Sequence, residues 1–581
     1  MLKNLRSNDY KFLDTKGFLL YFSVCRVGTC MSTIYAVLLE VASIQRYVFG
    51  SNKLKENYGA SYLVENMFEE NLKSAWKKVG LDARAFELWT EWAKDEDAAD
   101  DFADEIRILK PEIEAEVGYI GGGNALLFFI DQEKAKKLAK EWSKELLINT
   151  PGLNPTIAIS ETDSEYLNNK EEFPESISAL FKVMGENKSK YQPQTTLPRH
   201  GITAECNRTG LSAECFDTDK KIYISSVAKA KLDAADKATS KLLQDFAEVL
   251  QIKSKYSFPE KFEELGQSDD DSHISIVHID GNSMGYKFKE CKTLPEIRKL
   301  SKSVKNATKK SVGDLLEVII KKIDDPAFNQ NFAYNGIWLP IRPIIIGGDD
   351  ITFVCPGRLG VYFAKIFMEK FAEKEVKKGN ERIPLSSCAG IAITKTKYPF
   401  YRGYELAEEL CKNAKKESRK EENSSWLDFH LAYGGFSGEL KDIRRANYEG
   451  AAGHLCLRPY RVVGKINDHR NFSECIKGIK HFKGMNGSKE EEEPEQKGWP
   501  NSKIKELREV LTMGHTSARI FIQEMNYRDR TLPEIEGHPE CKDTGWLCEN
   551  KKHVTPYFDM LELMEIYPIK LEEKEVIDVH L

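Results

Sequence analysis

Three carboxylates fall where apolar, strand-like segments of the chain end. Asp280 closes the segment ISIVHID (Ile274 to Asp280), while Asp349 and Asp350 sit inside IIIGGDDITFV (Ile344 to Val354). An isolated GGDD is a weak signal, since composition alone yields that tetrapeptide in roughly one protein of this length per hundred. Here, however, the glycines lie between two strand-length runs, so they permit a tight turn with the acids at its tip. Carboxylates converging at strand ends suit Mg²⁺ or Mn²⁺, which makes Asp280, Asp349 and Asp350 the candidate metal ligands and catalytic residues.

Such a metal site predicts phosphoryl transfer. Paired divalent cations lower the cost of activating a ribose hydroxyl and neutralise a triphosphate as charge develops in line. We therefore assign Gly347 and Gly348, which build the turn, to nucleotide binding beside the acids. The alternative for the whole motif is an acidic turn on the protein surface.

Triphosphate binding also needs cations, and a lysine-rich helix is predicted in ELCKNAKKESRK. Helical spacing places Lys412 and either Lys415 or Lys416 on one face, where they could contact phosphate. The commoner explanation for such a run is a solvated helix face. His278 precedes Asp280 by two residues in a strand, so both side chains should point the same way. His278 could contact a base or could simply be a hydrogen-bonded histidine.

The elements that position these residues occur twice along the chain. Each copy has a strand, helices, two strands joined by a Gly-Gly turn, a further helix and a last strand. The segments are IYAVLLE, YIGGGNALLFF, a helix from Gln132 to Leu147 and IAIS in the first copy, and ISIVHID, IIIGGDDITFV, a helix near Val361 to Lys377 and IAIT in the second. Aligned without a gap, Gly121 to Asn124 faces Gly347 to Asp350, and Glu40 faces Asp280. The first copy thus keeps the hairpin and loses the paired carboxylates.

The repeat predicts an α+β protein with two ferredoxin-like palm domains of the nucleotidyl cyclase and polymerase type. At 581 residues the chain exceeds what one core usually organises. A small domain with an amphipathic helix near Ser226 to Leu250 connects the palms, and the pattern after Trp426 is mainly helical. The predicted boundaries are an N-terminal extension at 1–30, the first palm at 31–190, the connecting domain at 191–265, the second palm at 266–425 and the helical domain at 426–581.

Composition indicates which ligands and which cellular location the chain favours. The formal net charge of -6 gives no global bias toward nucleic acid or membrane, so an anionic ligand needs a local basic patch. Twelve cysteines without a CxxC pair fit reduced thiols in a cytoplasm better than a disulfide framework. The apolar run from Gly17 to Cys25 is far too short for a membrane span. We expect a cytoplasmic protein without membrane contact.

An ordered set of motifs resembles the large polymerase/cyclase subunit of type III CRISPR-Cas effector complexes. The set spans roughly residues 31 to 460 and is far more specific than GGDD alone. Its members are IQRYVFGSNKLKENYGASYLV, YIGGGNALLFF, HIDGNSMG, IIIGGDDITF, AGIAI with KYPFY, ELCKNAKK, SSWLDFH and LCLRPY. The resemblance implies two palms packed face to face, ATP bound between them, and synthesis of cyclic oligoadenylate messengers by the second palm.

Carried over by position, the three carboxylates look like the family's metal-binding acids. Lys415 resembles the lysine that meets the triphosphate, and Gly59 and Ser61 look similar to residues lining a second nucleotide site. The family's second acid in the turn after the first strand is here Asn282. The resemblance also implies partners, namely the backbone subunits of the effector complex and, through them, guide and target RNA. The family often carries an HD-type nuclease domain, which does not fit in the thirty residues before the first palm, so we expect no DNA cleavage in cis.

Other interpretations stay open. A diguanylate-cyclase-like enzyme using GTP has a GGDEF turn that GGDD approximates on the same scaffold. Its members normally pair two identical chains, whereas here one chain carries both palms. A relative that makes nucleotide signals without a guide complex is a second possibility. A non-catalytic scaffold subunit of an RNA-binding complex is a third, against which the intact acids weigh.

Overall fold

The computed structural model describes residues 33–572 except for 168, 191–195, 197–199, 219, 251–255, 266–271, 330–336, 433–437, 486–497 and 550. The predicted N-terminal extension at 1–30 lies outside the described residues.

The first palm is a four-stranded antiparallel sheet with helices packed against it. The strand order is β2-β3-β1-β4, so the first strand in sequence lies inside the sheet. The elements are β1 (Thr33–Ala42), α1 (Ile44–Phe49), α2 (Leu54–Asn66), a π-helical turn (Met67–Leu72), α3 (Lys73–Val79), α4 (Ala83–Lys94), α5 (Asp101–Asp104), a 3₁₀ turn (Arg107–Leu109), β2 (Ala115–Gly121), β3 (Asn124–Phe129), α6 (Gln132–Asn149), β4 (Asn154–Asp163), a 3₁₀ turn (Ser164–Leu167) and α7 (Glu172–Ser189).

A small segment connects the palms. It consists of β5 (Cys215–Asp217), β6 (Ile222–Ile224), α8 (Ser226–Asp245), α9 (Ala247–Leu250) and a 3₁₀ turn (Phe262–Glu264). The long helix α8 packs along α2 of the first palm at very short range. A Cβ atom added at Gly59 would lie 2.0 Å from the carbonyl oxygen of Lys231. Only glycine lets the two helix backbones approach this closely.

The second palm repeats the first and extends it. Its elements are β7 (His273–Gly281), α10 (Met284–Lys289), α11 (Leu294–Lys322), α12 (Pro326–Asn329), β8 (Arg342–Gly347), β9 (Asp350–Pro356), α13 (Gly360–Ala372), β10 (Glu375–Lys378), β11 (Glu381–Pro384), β12 (Ser387–Lys395), α14 (Phe400–Ser418) and β13 (Ser425–Leu431). Together with a later strand β14 (Tyr460–Val463), the sheet order is β14-β13-β12-β7-β9-β8. The strands β7 and β12 are buried almost throughout, which is why they read as continuous apolar runs.

The two hairpins have the same register, which confirms the predicted duplication. Glu40 of β1 is the cross-strand partner of Asn124, and Asp280 of β7 is the cross-strand partner of Asp350. Both turns also place a glycine in the left-handed region, with φ of +59° at Gly122 and at Gly348. The predicted α+β architecture with two palm domains is therefore present.

Two details differ from the sequence-based expectation. The helix predicted near Val361 to Lys377 ends at Ala372, because Glu375–Lys378 pairs with Glu381–Pro384 as a hairpin. The sequence signal for it was Gly379-Asn380, a dipeptide typical of two-residue hairpin loops. The second palm was also expected to end at residue 425, but β13 begins there and joins the sheet in parallel with β12.

The C-terminal part is mainly helical and packs on the second palm. It contains α15 (Leu440–Tyr448), β14, α16 (Phe472–Lys483), α17 (Asn501–Met513), α18 (His515–Asn526), α19 (Cys541–Thr544), β15 (Leu547–Glu549), β16 (Lys552–Val554), α20 (Tyr557–Ile566) and α21 (Ile569–Glu572). Buried Arg458 joins it to the sheet, since its guanidinium donates to the Phe429 carbonyl of β13 at 2.9 Å and to Glu562 of α20 at 2.5 Å. Across the described ranges, no helix has the length and apolar character needed to span a membrane.

Candidate active site between the two palms

The predicted acids meet at one end of the second palm's sheet. Asp280 and Asp350 are directly opposite on the neighbouring strands β7 and β9. The backbone N–H of Gly281 donates to the carbonyl of Asp349 at 3.1 Å, which fixes the turn against the end of β7. The antiparallel register, set by the buried faces of both strands, therefore brings together the carboxylates that the sequence separates by some seventy residues.

The three acids crowd one another electrostatically. Burial, reinforced by the negative charges of Asp280 and Asp350, raises the pKa of Asp349 to about 7. The ammonium of Lys415 on α14 lies 2.5 Å from Oδ2 of Asp280. Burial opposes the lysine charge, but Asp280 outweighs this and raises the pKa of Lys415. Lys415 thus offsets part of the negative charge, as expected for a residue near a triphosphate site.

His278 lies within the same group, on the same strand as Asp280. Its ring is 4% exposed, and Nδ1 is hydrogen-bonded to Oγ1 of Thr352 at 3.1 Å. The same nitrogen lies 3.3 Å from Oδ1 of Asp350. Although burial disfavours a charged imidazole, Asp350 raises the pKa of His278. The histidine is therefore a buried, hydrogen-bonded neighbour of the acids, and this placement favours a supporting role over contact with a base.

The donor set fits a hard divalent cation in its chemistry. Carboxylate oxygens are the preferred ligands of such ions, and Oδ1 of Asp350 is buried without a hydrogen-bond partner among the described residues. Mutual repulsion of the three acids is the condition that a bound cation relieves. Within the described ranges, no three His, Cys, Asp or Glu side chains already form a ligand set. Metal binding by Asp280, Asp349 and Asp350 thus stays a prediction, and Lys415 holds one of the Asp280 oxygens.

The Gly-Gly turns of the two palms touch. A Cβ added at Gly348 would lie 4.0 Å from Cα of Gly122, so the two tips face each other across the domain interface. Helix α11 of the second palm runs past both turns. Oγ1 of Thr308 donates to the Gly348 carbonyl at 2.6 Å, and a Cβ added at Gly121 would lie 2.6 Å from Oγ of Ser301. One helix therefore sets the position of both turns.

A cavity of about 320 Å³ opens beside the Gly347-Gly348 turn and extends between the palms. This volume is at the lower end of the range of roughly 300–1,000 Å³ typical of small-molecule sites. The walls come from α2, α4, α8, α11 and β8. The lining residues include Tyr58, Ser61, Tyr62, Glu65, Glu69, Lys94, Glu96, Lys241, Leu242, Asp245, Lys305, Asn306, Thr308, Lys309, Arg342, Ile344, Ile346, Gly347 and Gly348. Ser61, Gly347 and Gly348 therefore line the same cavity, and their assignment to nucleotide binding stays a prediction.

Two other predicted nucleotide-binding residues lie elsewhere. Lys412 is on the exposed side of α14, where its ammonium pairs with Glu408 at 2.9 Å. Gly59 is buried in the contact between α2 and α8, where it allows close helix packing, and its assignment to nucleotide binding stays a prediction. Tyr58, Thr308 and Arg342 were not predicted as site residues. Their positions depend on the packing of the two palms, for which the local sequence gives no signal.

The first palm carries a counterpart of the acid-lysine pair. Lys188 near the end of α7 forms an ion pair with Glu40, as Lys415 of α14 does with Asp280. The position opposite Glu40 is Asn124, a neutral side chain. The first site therefore lacks the cluster of carboxylates, in agreement with the prediction from the aligned repeats.

Asn282, the departure from the family pattern, has a structural explanation. Its amide nitrogen lies 3.0 Å from the Ser424 carbonyl, 3.0 Å from Oγ of Ser418 and 3.1 Å from Oγ of Ser386. A carboxylate cannot donate to that carbonyl and would face its oxygen at hydrogen-bond distance. The asparagine thus ties the segment after β7 to the start of β13.

Comparison with known proteins identifies the second palm. Residues 273–424 match the family model described as Cas10/Cmr2, second palm domain. This domain contains all three acids and Lys415, and it is a palm of the nucleotidyltransferase and cyclase group. The resemblance inferred from the sequence motifs is confirmed here. A search of curated proteins found no match.

The fold is similar to that of one solved structure in particular. The chain is similar to the Csm1-Csm4 cassette in complex with pppApA, with 12% identity, a TM-score of 0.51, and coverage of 93% of this chain and 69% of that chain. The cassette in complex with AMPPNP is 13% identical with a TM-score of 0.48, and the match covers 91% of this chain and 69% of that chain. The cassette in complex with cA4 is 13% identical with a TM-score of 0.47, and the match covers 94% of this chain and 69% of that chain. At this level of identity the likeness concerns the fold.

Proposed function

We propose that the chain is a metal-dependent nucleotidyltransferase that joins ATP into cyclic oligoadenylates, as a subunit or relative of a type III CRISPR antiviral effector complex. One observation carries the proposal. Asp280 and Asp350 form a cross-strand pair beside a Gly-Gly turn that opens into the cavity between the palms, within a domain matching the Cas10/Cmr2 second palm. The similar structure with a TM-score of 0.51 is that of Csm1-Csm4 with pppApA, which favours adenylate as the substrate.

The reaction joins two nucleotides. The ribose hydroxyl of one attacks the α-phosphorus of the other, an O–P bond forms, the bond to pyrophosphate breaks, and the hydroxyl proton is released. A cation held by Asp280 and Asp350, with Asp349 beside them, would favour ionisation of the hydroxyl and neutralise the triphosphate. The last attack is intramolecular and closes the ring.

The protein's own groups bind and orient the substrates. Lys415 contacts Asp280, and in this proposal its ammonium pairs with the triphosphate when Asp280 binds a cation. Thr308 holds the carbonyl of Gly348 and so fixes the turn. The first palm, with Asn124 in place of an acid, binds a nucleotide without supplying metal ligands. The two palms thus provide one catalytic and one substrate-holding site.

We also propose partners and control. A synthase of potent messengers that ran continuously would drain ATP, so the isolated chain should have low basal activity. Backbone subunits of the effector complex and target RNA bound by them are the expected activators, and the helical C-terminal part, residues 431–581, is the expected docking surface. A small shift between the palms suffices for control, because the reacting groups meet at their interface.

The test is the double variant Asp349→Ala/Asp350→Ala, assayed for pyrophosphate release from ATP with Mg²⁺ or Mn²⁺ in the presence of the partner complex. We expect loss of turnover with an unchanged fold. Asp233→Ala, which removes an exposed aspartate paired with Lys229 on α8, is the control and should keep metal-dependent activity. Unchanged turnover in the double variant would refute this assignment of the site. A complex whose assembly needs the chain but which never consumes nucleotide would instead support the scaffold alternative.

A further inference from the structure

Arg342, at the start of β8, lines the cavity between the palms and is only 1% exposed. Its Nη2 atom donates to Oγ1 of Thr239 at 3.1 Å. Its Nε and Nη1 atoms are buried and have no hydrogen-bond partner in the part of the chain that the structure describes. A guanidinium carries five N–H donors, so much of its binding capacity is unused.

The guanidinium is held in a fixed orientation. It stacks on the ring of Tyr58 with 3.6 Å between Cζ and the ring centroid, and Phe258 lies 5.8 Å away. Burial lowers the pKa of Arg342 to about 10, which still leaves it protonated at neutral pH. A stacked, planar guanidinium is preorganised for a ligand that accepts two parallel hydrogen bonds.

Two other cations that line the cavity form ion pairs with carboxylates. The ammonium of Lys241 lies 2.8 Å from Glu65, and that of Lys94 lies 3.1 Å from Glu69. No carboxylate within 4.0 Å of the Arg342 guanidinium is found among the described residues. Cation–π contact with Tyr58 offsets only part of the cost of burying a charge. The charge of Glu260 also acts on Arg342, but this carboxylate lies beyond 4.0 Å and its oxygen is 3.5 Å from the ammonium of Lys55. The cavity therefore contains a buried positive charge without a directly paired counterion, which a phosphate could supply.

We infer that Arg342 binds a phosphate group of a nucleotide in the cavity, through the N–H groups of Nε and Nη1. A phosphate supplies both the compensating charge and the paired oxygens that match a guanidinium fork. The edge of a neutral base would leave the charge uncompensated. The identity of the ligand as a nucleotide rests on the proposed function.

The position along β8 indicates which phosphate this is. Gly347 at the turn follows Arg342 by five positions, and a strand rises about 3.3 Å per residue, so the Cα atoms of these two residues are about 16 Å apart. Arg342 therefore lies at the end of β8 that is remote from the acids. We assign it to the 5′-phosphates of the nucleotide whose ribose hydroxyl attacks, because the phosphate that is transferred must lie at the acids.

The direct test is binding of inorganic tripolyphosphate by calorimetry, with EDTA present so that no divalent cation contributes. Wild type should bind, and Arg342→Met should bind at least about tenfold more weakly, because a charge-assisted hydrogen-bond pair is lost. Arg528→Met removes the same charge from an exposed residue paired with Glu524 and should bind as wild type does. Asp349→Ala/Asp350→Ala should also keep tripolyphosphate binding, which separates this inference from the proposed reaction. Equal affinity of Arg342→Met and wild type, or no binding by wild type, would overturn the inference.

Thermal unfolding distinguishes a ligand-binding arginine from a structural one. Without ligand, Arg342→Met should be at least as stable as wild type, because it removes an uncompensated buried charge. Tripolyphosphate should then raise the melting temperature of wild type and of Arg528→Met, and leave that of Arg342→Met unchanged. Arg342→Lys, which keeps the charge without the fork, should show an intermediate shift. If both Arg342 variants lose much of their stability without ligand, and Arg342→Lys still binds tripolyphosphate as wild type does, Arg342 acts in folding and the inference is overturned.

Discussion

Arg298 joins the two palms, and its replacement should show how strongly they are coupled. It lies on α11 of the second palm, is 0% exposed, and donates only to acceptors in the first palm. Nε donates to the Gly118 carbonyl at 2.8 Å, and Nη2 to the Val117 carbonyl and to Oε1 of Glu116, each at 2.8 Å. Nη1 adds bonds to the Glu105 carbonyl at 2.9 Å and to the Ala103 carbonyl at 3.5 Å. A single side chain thus satisfies one carboxylate and four carbonyls across the interface.

Arg298→Met retains apolar volume and removes every one of these hydrogen bonds. Removing one partner of a buried ion pair costs about 3–5 kcal/mol, because the other charge stays buried without compensation. Glu116 is 4% exposed and retains only the N–H of Ile108 as a donor. We therefore expect the free energy of unfolding of the palm unit to fall by about 4 kcal/mol.

The assay is urea unfolding of wild type, Arg298→Met, Glu116→Gln and the double variant. Once Arg298 is absent, Glu116→Gln replaces an uncompensated buried charge by a neutral amide. The loss in free energy of unfolding of the double variant should therefore be about 2 kcal/mol smaller than the sum of the losses of the two single variants. Arg528→Met, an exposed arginine in the C-terminal part, should change stability by less than about 0.5 kcal/mol. Additive effects of Arg298→Met and Glu116→Gln, or a loss near zero for Arg298→Met, would refute the reasoning.

Three further outcomes follow from particular contacts. Gly59→Ala places a methyl group 2.0 Å from the Lys231 carbonyl, so α2 and α8 must separate. Urea unfolding should therefore show that the free energy of unfolding falls by about 2–3 kcal/mol, and wild-type stability would contradict this packing. Burial lowers the pKa of Lys231 from 10.5 to about 8, so the unfolded state binds more protons between these values and stability should rise with pH across that window. Lys231→Met should abolish that rise, which is worth at most about 3 kcal/mol in the free energy of unfolding. Melting temperatures measured from pH 7 to 10 test this, and an equal rise in the variant would exclude Lys231 as its source. Thr308→Val removes the donor to the Gly348 carbonyl and should lower kcat about tenfold while costing only about 1 kcal/mol of stability, and Thr308→Ser should restore both. Equal kcat in all three proteins would show that this bond does not position the turn.

Much of the scaffold could be predicted from local pattern. Hairpins and buried strands leave strong signals in the sequence, and the internal repeat by itself aligns Asn124 with Asp350 and Glu40 with Asp280. The cross-strand pairs Glu40–Asn124 and Asp280–Asp350 agree with that alignment. The end of α13 at Ala372 was missed because the lysine-rich β10 lacks the alternation of a buried strand.

Side-chain partners were harder to predict than strands. Helical spacing puts Lys412 near the face of Lys415, yet a difference of three residues rotates it toward Glu408 and solvent. Gly59 was assigned to nucleotide binding, although its backbone contact with Lys231 depends on a helix about 170 residues away in the sequence. Arg342 gives no local signal, because only the packing of α2 on β8 brings Tyr58 over its guanidinium.

The most direct test of the central claim is mass analysis of the products formed from each of the four nucleoside triphosphates with Mg²⁺ or Mn²⁺. The chain should be assayed alone and with the effector subunits and target RNA. We predict cyclic oligoadenylates from ATP, stimulated by the partner complex and absent with Asp349→Ala/Asp350→Ala. A cyclic dinucleotide from GTP would favour the diguanylate-cyclase alternative, and the absence of any nucleotide product from the fully assembled, RNA-bound complex would contradict catalysis by this chain.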